Sequence, residues 1–180
     1  MLSALRRIPI VFALCAMSCA FASPTPEYQV KAAFLFNFSQ FVSWPPQAFS
    51  SAKAPIVIAV LGSDPFGPDL DALVSGQRVN GHPLVVRRYR DVSEVDGCHI
   101  LFIDQSESTQ LPEILRTLRG RAILTVSDIG GSAQSGVMID LVTQNQHIRM
   151  RVNLAAARAS GLTVSSQLLS LAQIVGPKSD

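Results

Sequence analysis

Three aspartates pose the first chemical question. Asp64, Asp104 and Asp128 each follow an apolar run that reads as a β-strand, over 55–61, 98–103 and 122–127. If those strands are parallel, their carboxyl ends bring the three carboxylates to one sheet edge, where ligand and active sites of α/β folds collect. Such carboxylates could act as base and acid in a hydrolysis. Asp64, however, stands before Pro65 and suits a helix cap, and Asp104 and Asp128 can equally accept from loop N–H groups. No lysine follows a late strand, and Ser127 and Ser132 lack the Gly-x-Ser-x-Gly elbow of a serine hydrolase. The residues lay out a hydrolase on Asp64, Asp104 and Asp128 without supplying its remaining parts.

Other chemistries have less support. The turn Gly62-Ser-Asp-Pro-Phe-Gly67 has the wrong spacing for a dinucleotide fingerprint, and no Gly-Lys-Ser/Thr marks a phosphate loop. His82, His99 and His147 fall on three separate predicted strands without ligand spacing, so no metal site and no cofactor is expected. Cys98 opens a strand and reads as a small buried hydrophobe, with an intermolecular disulfide or oxidisable thiol as the sharper alternative. Arg87, Arg88 and Arg90 form the densest basic cluster, read as solvated surface or as a patch for an acidic partner.

The elements that would position these groups follow from pattern. The stretch from Glu27 to Val42 reads as a helix, with Thr25 as cap, Pro26 at the first position and Pro45 and Pro46 as the stop. Val30, Phe34, Phe38 and Phe41 make one face, widened by Leu35 and Val42 until the helix must lie against a core. Phe41 and Trp44 at its exit are candidates for a protein interface, because aromatic rings give large contact area at low entropy cost.

Pro55–Leu61, Val79–Tyr89, Cys98–Asp104 and Ala122–Ser127 read as strands. Helices to about Val74 and from Leu111 to Leu118 separate them, with a helical turn at Asp91–Val95. This β-α alternation predicts a three-layer αβα sandwich on a mostly parallel, Rossmann-like sheet. Asp128–Gly136 reads as a flexible loop. Val137–Val142 and His147–Val152 read as a hairpin at the C-terminal sheet edge, its arginines guarding against mispairing. Asn153 and Gly161 bound a short helix. A last helix over Gln167–Val175, capped by Ser165 or Ser166, packs through Leu168, Leu171, Ala172 and Val175.

The chain has 180 residues and a formal net charge of +2. Its start resembles a signal peptide: Arg6 and Arg7, an apolar segment over 8–21, and the small-x-small site Ala20-Phe21-Ala22, with cleavage expected after Ala22. A lipoprotein signal at Cys19 is disfavoured, since Ala stands where Leu is usual. Removal of 1–22 takes Arg6 and Arg7 from the 15 basic residues and balances the rest against 13 acidic ones. That balance, with export, argues against a nucleic-acid partner. It also leaves Cys98 alone, without an internal disulfide partner. Residues 23–180 suit one domain.

Five segments together carry a resemblance: Tyr28-Gln-Val-Lys-Ala-Ala-Phe-Leu-Phe-Asn-Phe38, Phe41-Val-Ser-Trp-Pro45, Gly136-Val-Met-Ile-Asp140, Ile148-Arg-Met-Arg-Val-Asn153 and Ser165-Ser-Gln-Leu-Leu-Ser-Leu-Ala172. They resemble the YfiR family of periplasmic proteins across about residues 26–175. The resemblance implies a non-catalytic α/β sandwich acting as a repressor. It would engage the periplasmic sensor domain of an inner-membrane diguanylate cyclase and so lower cytoplasmic cyclic di-GMP, with effects on biofilm formation. An outer-membrane lipoprotein resembling YfiB would draw the repressor away, and a homodimer would suit a dimeric receptor. The best-known member has two disulfides, whereas here Cys98 stands at what looks like one bridging position. A periplasmic small-ligand sensor is the alternative, expected to show an apolar cleft with a few polar groups near the sheet's carboxyl edge.

Overall fold

The computed structural model describes residues 25–176, so the leader, its cleavage site and Cys19 lie outside the described residues. Helix α1 spans Pro26–Phe41, with proline in the first turn and Glu27 near its positive end. Thr25 occupies the cap position but its side chain makes no cap hydrogen bond; its carbonyl accepts from the Tyr28 and Gln29 N–H groups instead. The helix ends because Val42 turns extended to begin strand β1, Val42–Ser43, before the prolines are reached. Pro46 then starts a 3-10 turn over Pro46–Ala48.

The buried side of α1 is Lys31, Ala32, Leu35, Phe38 and Ser39. The expected Val30-Phe34-Phe38-Phe41 stripe is therefore rotated: Val30 is 49% exposed, while Phe34 and Phe41 are only partly covered. Hydrophobicity alone misplaced the face because the aromatics nearly encircle the helix, and a buried lysine claims one position.

Strand β2, Ile56–Leu61, is buried along its whole length, the pattern of a central parallel strand. Helix α2 covers Pro68–Val74, starting later than expected because Asp64 Oδ1 accepts from the N–H groups of Phe66 and Gly67 and forms a turn of its own. The next strand is divided. Short β3, Arg78–Val79, folds back on β4, His82–Tyr89, through Asn80 and Gly81, both at positive φ. A 3-10 turn at Val92–Glu94 leads to β5, Ile100–Ile103, and another at Gln105–Glu107 to α3, Leu111–Thr117. Gln110 holds the cap position of α3 without a side-chain bond.

Strand β6, Leu124–Ser127, precedes a segment expected to be flexible but in fact packed, for Ser132 and Ala133 are buried. Strands β7, Ile139–Gln144, and β8, His147–Val152, pair antiparallel through Asn145 and Gln146, both at positive φ as a tight two-residue hairpin demands. Helix α4, Leu154–Ala159, is capped by the Asn153 side chain on the Ala156 N–H at 3.0 Å. Strand β9, Thr163–Val164, pairs antiparallel with β1.

Helix α5 is only Ser166–Ser170, capped by Ser165, after which Gln173–Ile174 extends as β10. The predicted Leu168-Leu171-Ala172-Val175 face does not exist: Leu168 is buried, but Leu171 is 78% exposed.

The main sheet runs β10-β8-β7-β6-β5-β2-β4-β3. Pairs β4–β2, β2–β5, β5–β6, β6–β7 and β8–β10 are parallel. Because β10 lies outside β8 over two residues, the hairpin stands one strand in from the edge. One core layer joins Ile58, Val60, Phe102 and Val126 to Leu35 and Phe38 of α1, Leu70 of α2 and Ala157 of α4. The other joins Val57, Leu101 and Ile103 to Leu111 and Ile114 of α3. The result is a mixed α/β fold whose mostly parallel sheet carries helices on both faces. No helix among the described residues is long and apolar enough to cross a membrane.

Candidate functional site

The three aspartates do stand at the carboxyl ends of β2, β5 and β6, but each is held separately. Asp64 accepts from Arg88 Nε at 2.6 Å. Asp104, 7% exposed, caps the following 3-10 turn through the Ser106 N–H at 2.8 Å. Asp128 accepts from Lys31 Nζ at 2.8 Å and from the Tyr28 hydroxyl at 2.9 Å. Among the described residues, no group of three or more His, Cys, Asp or Glu is placed to hold a metal ion.

The Asp128 partners belong to a network absent from the sequence reading. Lys31 is only 2% exposed, yet its ammonium meets Glu27 Oε1 at 2.6 Å and Asp128 Oδ2 at 2.8 Å, and sits 4.4 Å from the Tyr28 ring centroid. Thr143 of β7 donates to the same Glu27 oxygen at 2.7 Å. The hydrogen bond to Lys31 is the main cause holding the Glu27 carboxyl below its usual range. Desolvation first, and then the hydrogen bond to Asp128, raise the Tyr28 hydroxyl well above the ordinary phenol value, keeping it a donor. The cluster ties α1 to the end of β6 and to the hairpin.

The opposite, amino edge of the sheet carries the aromatic candidates. Trp44 is partly buried; its indole N–H donates to the His99 carbonyl at 3.1 Å and its ring meets the His99 imidazole edge-on at 5.8 Å. Phe49 stacks between His82 and His99, with centroids at 4.3 and 4.6 Å. The Val57 N–H donates to His99 Nδ1 at 3.1 Å, which places the neutral ring's proton on Nε2. That Nε2 turns toward the Ala48 carbonyl without completing a hydrogen bond. Burial is the main cause lowering the His99 pKa from its ordinary 6.5. Phe41 packs, half-covered, against the core layer under α1.

A protein-family model described as YfiR/HmsC-like matches residues 28–173, from the first turn of α1 to the start of β10. The chain belongs to the YfiR/HmsC-like family. Membership supports a regulatory role in cyclic di-GMP signalling, and it covers both sheet edges just described.

In this YfiR/HmsC-like protein the arginine triplet is not one patch. Arg87 and Arg88 are neighbours on β4 and leave opposite faces of the sheet. Arg88 pairs with Asp64 and, at 2.5 Å, with Asp71, while Arg87 reaches the Asp96 carbonyl at 3.3 Å on the other side. Arg90 is exposed. Cys98 stands two residues before β5 rather than opening it; it is 6% exposed, and desolvation pushes its thiol up to about 12, so a disulfide to another chain requires this segment to open.

Two features of this family member were missed by sequence reasoning. The Glu27–Lys31 spacing of four residues was a usable signal, since such pairs meet on a helix. The Phe49 stack had none, because it joins a loop residue to His82 at the start of β4 and to His99 just before β5.

Proposed function

We propose that this protein is a non-catalytic periplasmic regulator that docks on the periplasmic sensor domain of an inner-membrane diguanylate cyclase and represses it. The family match over residues 28–173 carries this reading. The chemistry of the fold agrees with it: Asp64, Asp104 and Asp128 serve Arg88, a helical turn and Lys31, which leaves each occupied with holding the fold. The export signal read at residues 1–22 would deliver the chain to the compartment where such a domain is exposed.

The docking surface is proposed at the amino edge, around Phe41 and Trp44; Arg87 and Arg90, toward and beyond the carboxyl end of β4, would make a separate contact from the other edge. Arg88 is the weakest member of that set, because two carboxylates already face it. An outer-membrane lipoprotein of the YfiB type would compete for the repressor and so raise cyclic di-GMP. The test is capture of the purified sensor domain by the purified protein, combined with measurement of cyclic di-GMP after deletion of the gene. Saturable capture and a rise in cyclic di-GMP support repression; capture without a rise, or no capture, overturns it.

A further inference from the structure

A trough follows α3 and, past the amino ends of β6 and β7, reaches α4. Its larger part, a cleft of about 340 Å³, is floored by Leu115, Leu118, Ile123, Met138 and Ala156 and reaches Arg119 at the helix end. A second hollow of about 240 Å³ adjoins it through Leu115 and Ser135, and contains Leu111 and Ser132. From Leu111 to Arg119 the trough runs about 12 Å at the α-helical rise per residue. Together the two hollows are of the size that small-molecule sites occupy.

Three observations define what would fit. The lining has branched and flexible aliphatic side chains and no aromatic ring, so it suits a chain better than a flat ring. Arg119 is the single charged residue lining either hollow, and it makes no ion pair among the described residues. At the other end Ser132 is 1% exposed, and its hydroxyl has no hydrogen-bond partner. A buried hydroxyl without a partner is uncommon in a folded protein and marks a place for an external one.

We infer that this trough binds an aliphatic carboxylate of medium chain length that carries a second hydrogen-bonding group at its far end. The carboxylate meets Arg119, the chain lies along α3, and the far group meets Ser132. The trough shares no lining residue with the Phe41 and Trp44 surface proposed for docking, so the two readings fail separately.

Titration calorimetry of the purified protein with 10-hydroxydecanoate, decanoate and 1-decanol tests it. The hydroxy acid is expected to bind one-to-one and more tightly than decanoate. Arg119→Gln weakens both acids about tenfold, as loss of a charge-assisted bond does, and leaves 1-decanol unchanged. Ser132→Ala removes the advantage of the hydroxy acid, and Ala156→Phe fills the cleft and blocks all three. Should Ala156→Phe fail to fold, the exposed Arg119 and small Ser132 substitutions still decide. Absence of saturable binding, equal affinity of the two acids, or affinity indifferent to Arg119→Gln overturns the inference.

Discussion

Lys31 brings a full charge to the junction of α1, β6 and β7, where water barely reaches. A buried ion pair adds little over a well-packed apolar pair, but removing one partner leaves the other charge stranded. Lys31→Met is therefore expected to cost about 3–5 kcal/mol in urea denaturation, by analogy with other broken buried pairs. Lys31→Met combined with Asp128→Leu should recover much of that loss, since the carboxylate then left without a cation, Glu27, is partly exposed and keeps its Thr143 hydrogen bond. His99 supplies the pH dependence. Its folded pKa lies below the unfolded 6.5, so its contribution is fully present above 6.5 and is lost as pH falls through the folded value. The urea midpoint should drop as the solution is acidified below 6.5, and His99→Gln should flatten that slope.

At the scale of elements, stability rests on short helices held by their ends. Asn153 caps α4 and also donates to the Ala133 carbonyl at 2.9 Å from a buried position, whereas Ser165 only caps α5. Asn153→Ala is expected to cost about 2 kcal/mol and Ser165→Ala about 1 kcal/mol, measured as the shift in chemical denaturation. The hairpin turn offers the opposite sign. Gln146 holds φ at +63°, a conformation that strains a side chain with a β-carbon. Gln146→Gly should stabilise the protein by about 1 kcal/mol and raise its melting temperature, because Asn-Gly matches this turn.

For the whole molecule, the two sheet edges differ: the carboxyl edge is held by ion pairs, and the amino edge presents the partly covered Trp44. Trp44 is the single tryptophan, so its fluorescence would report on the proposed docking. Trp44→Phe should keep the fold yet weaken capture of the sensor domain about 30-fold, the size of an interfacial hot spot. Unchanged affinity would move the docking surface away from this edge.

The alternation of apolar runs with helix-forming segments was enough to specify an α/β fold with a mostly parallel sheet, because run length and apolar periodicity are local properties of the chain. The five motif segments were enough for the family. The sequence was silent on Lys31 as a core residue, on the Phe49 stack and on the opposite exits of Arg87 and Arg88 from the sheet. It also overran at α5, where Leu171 looked like core and lies in solvent. Those outcomes depend on which residues distant in the chain become neighbours, and only the assembled sheet sets that.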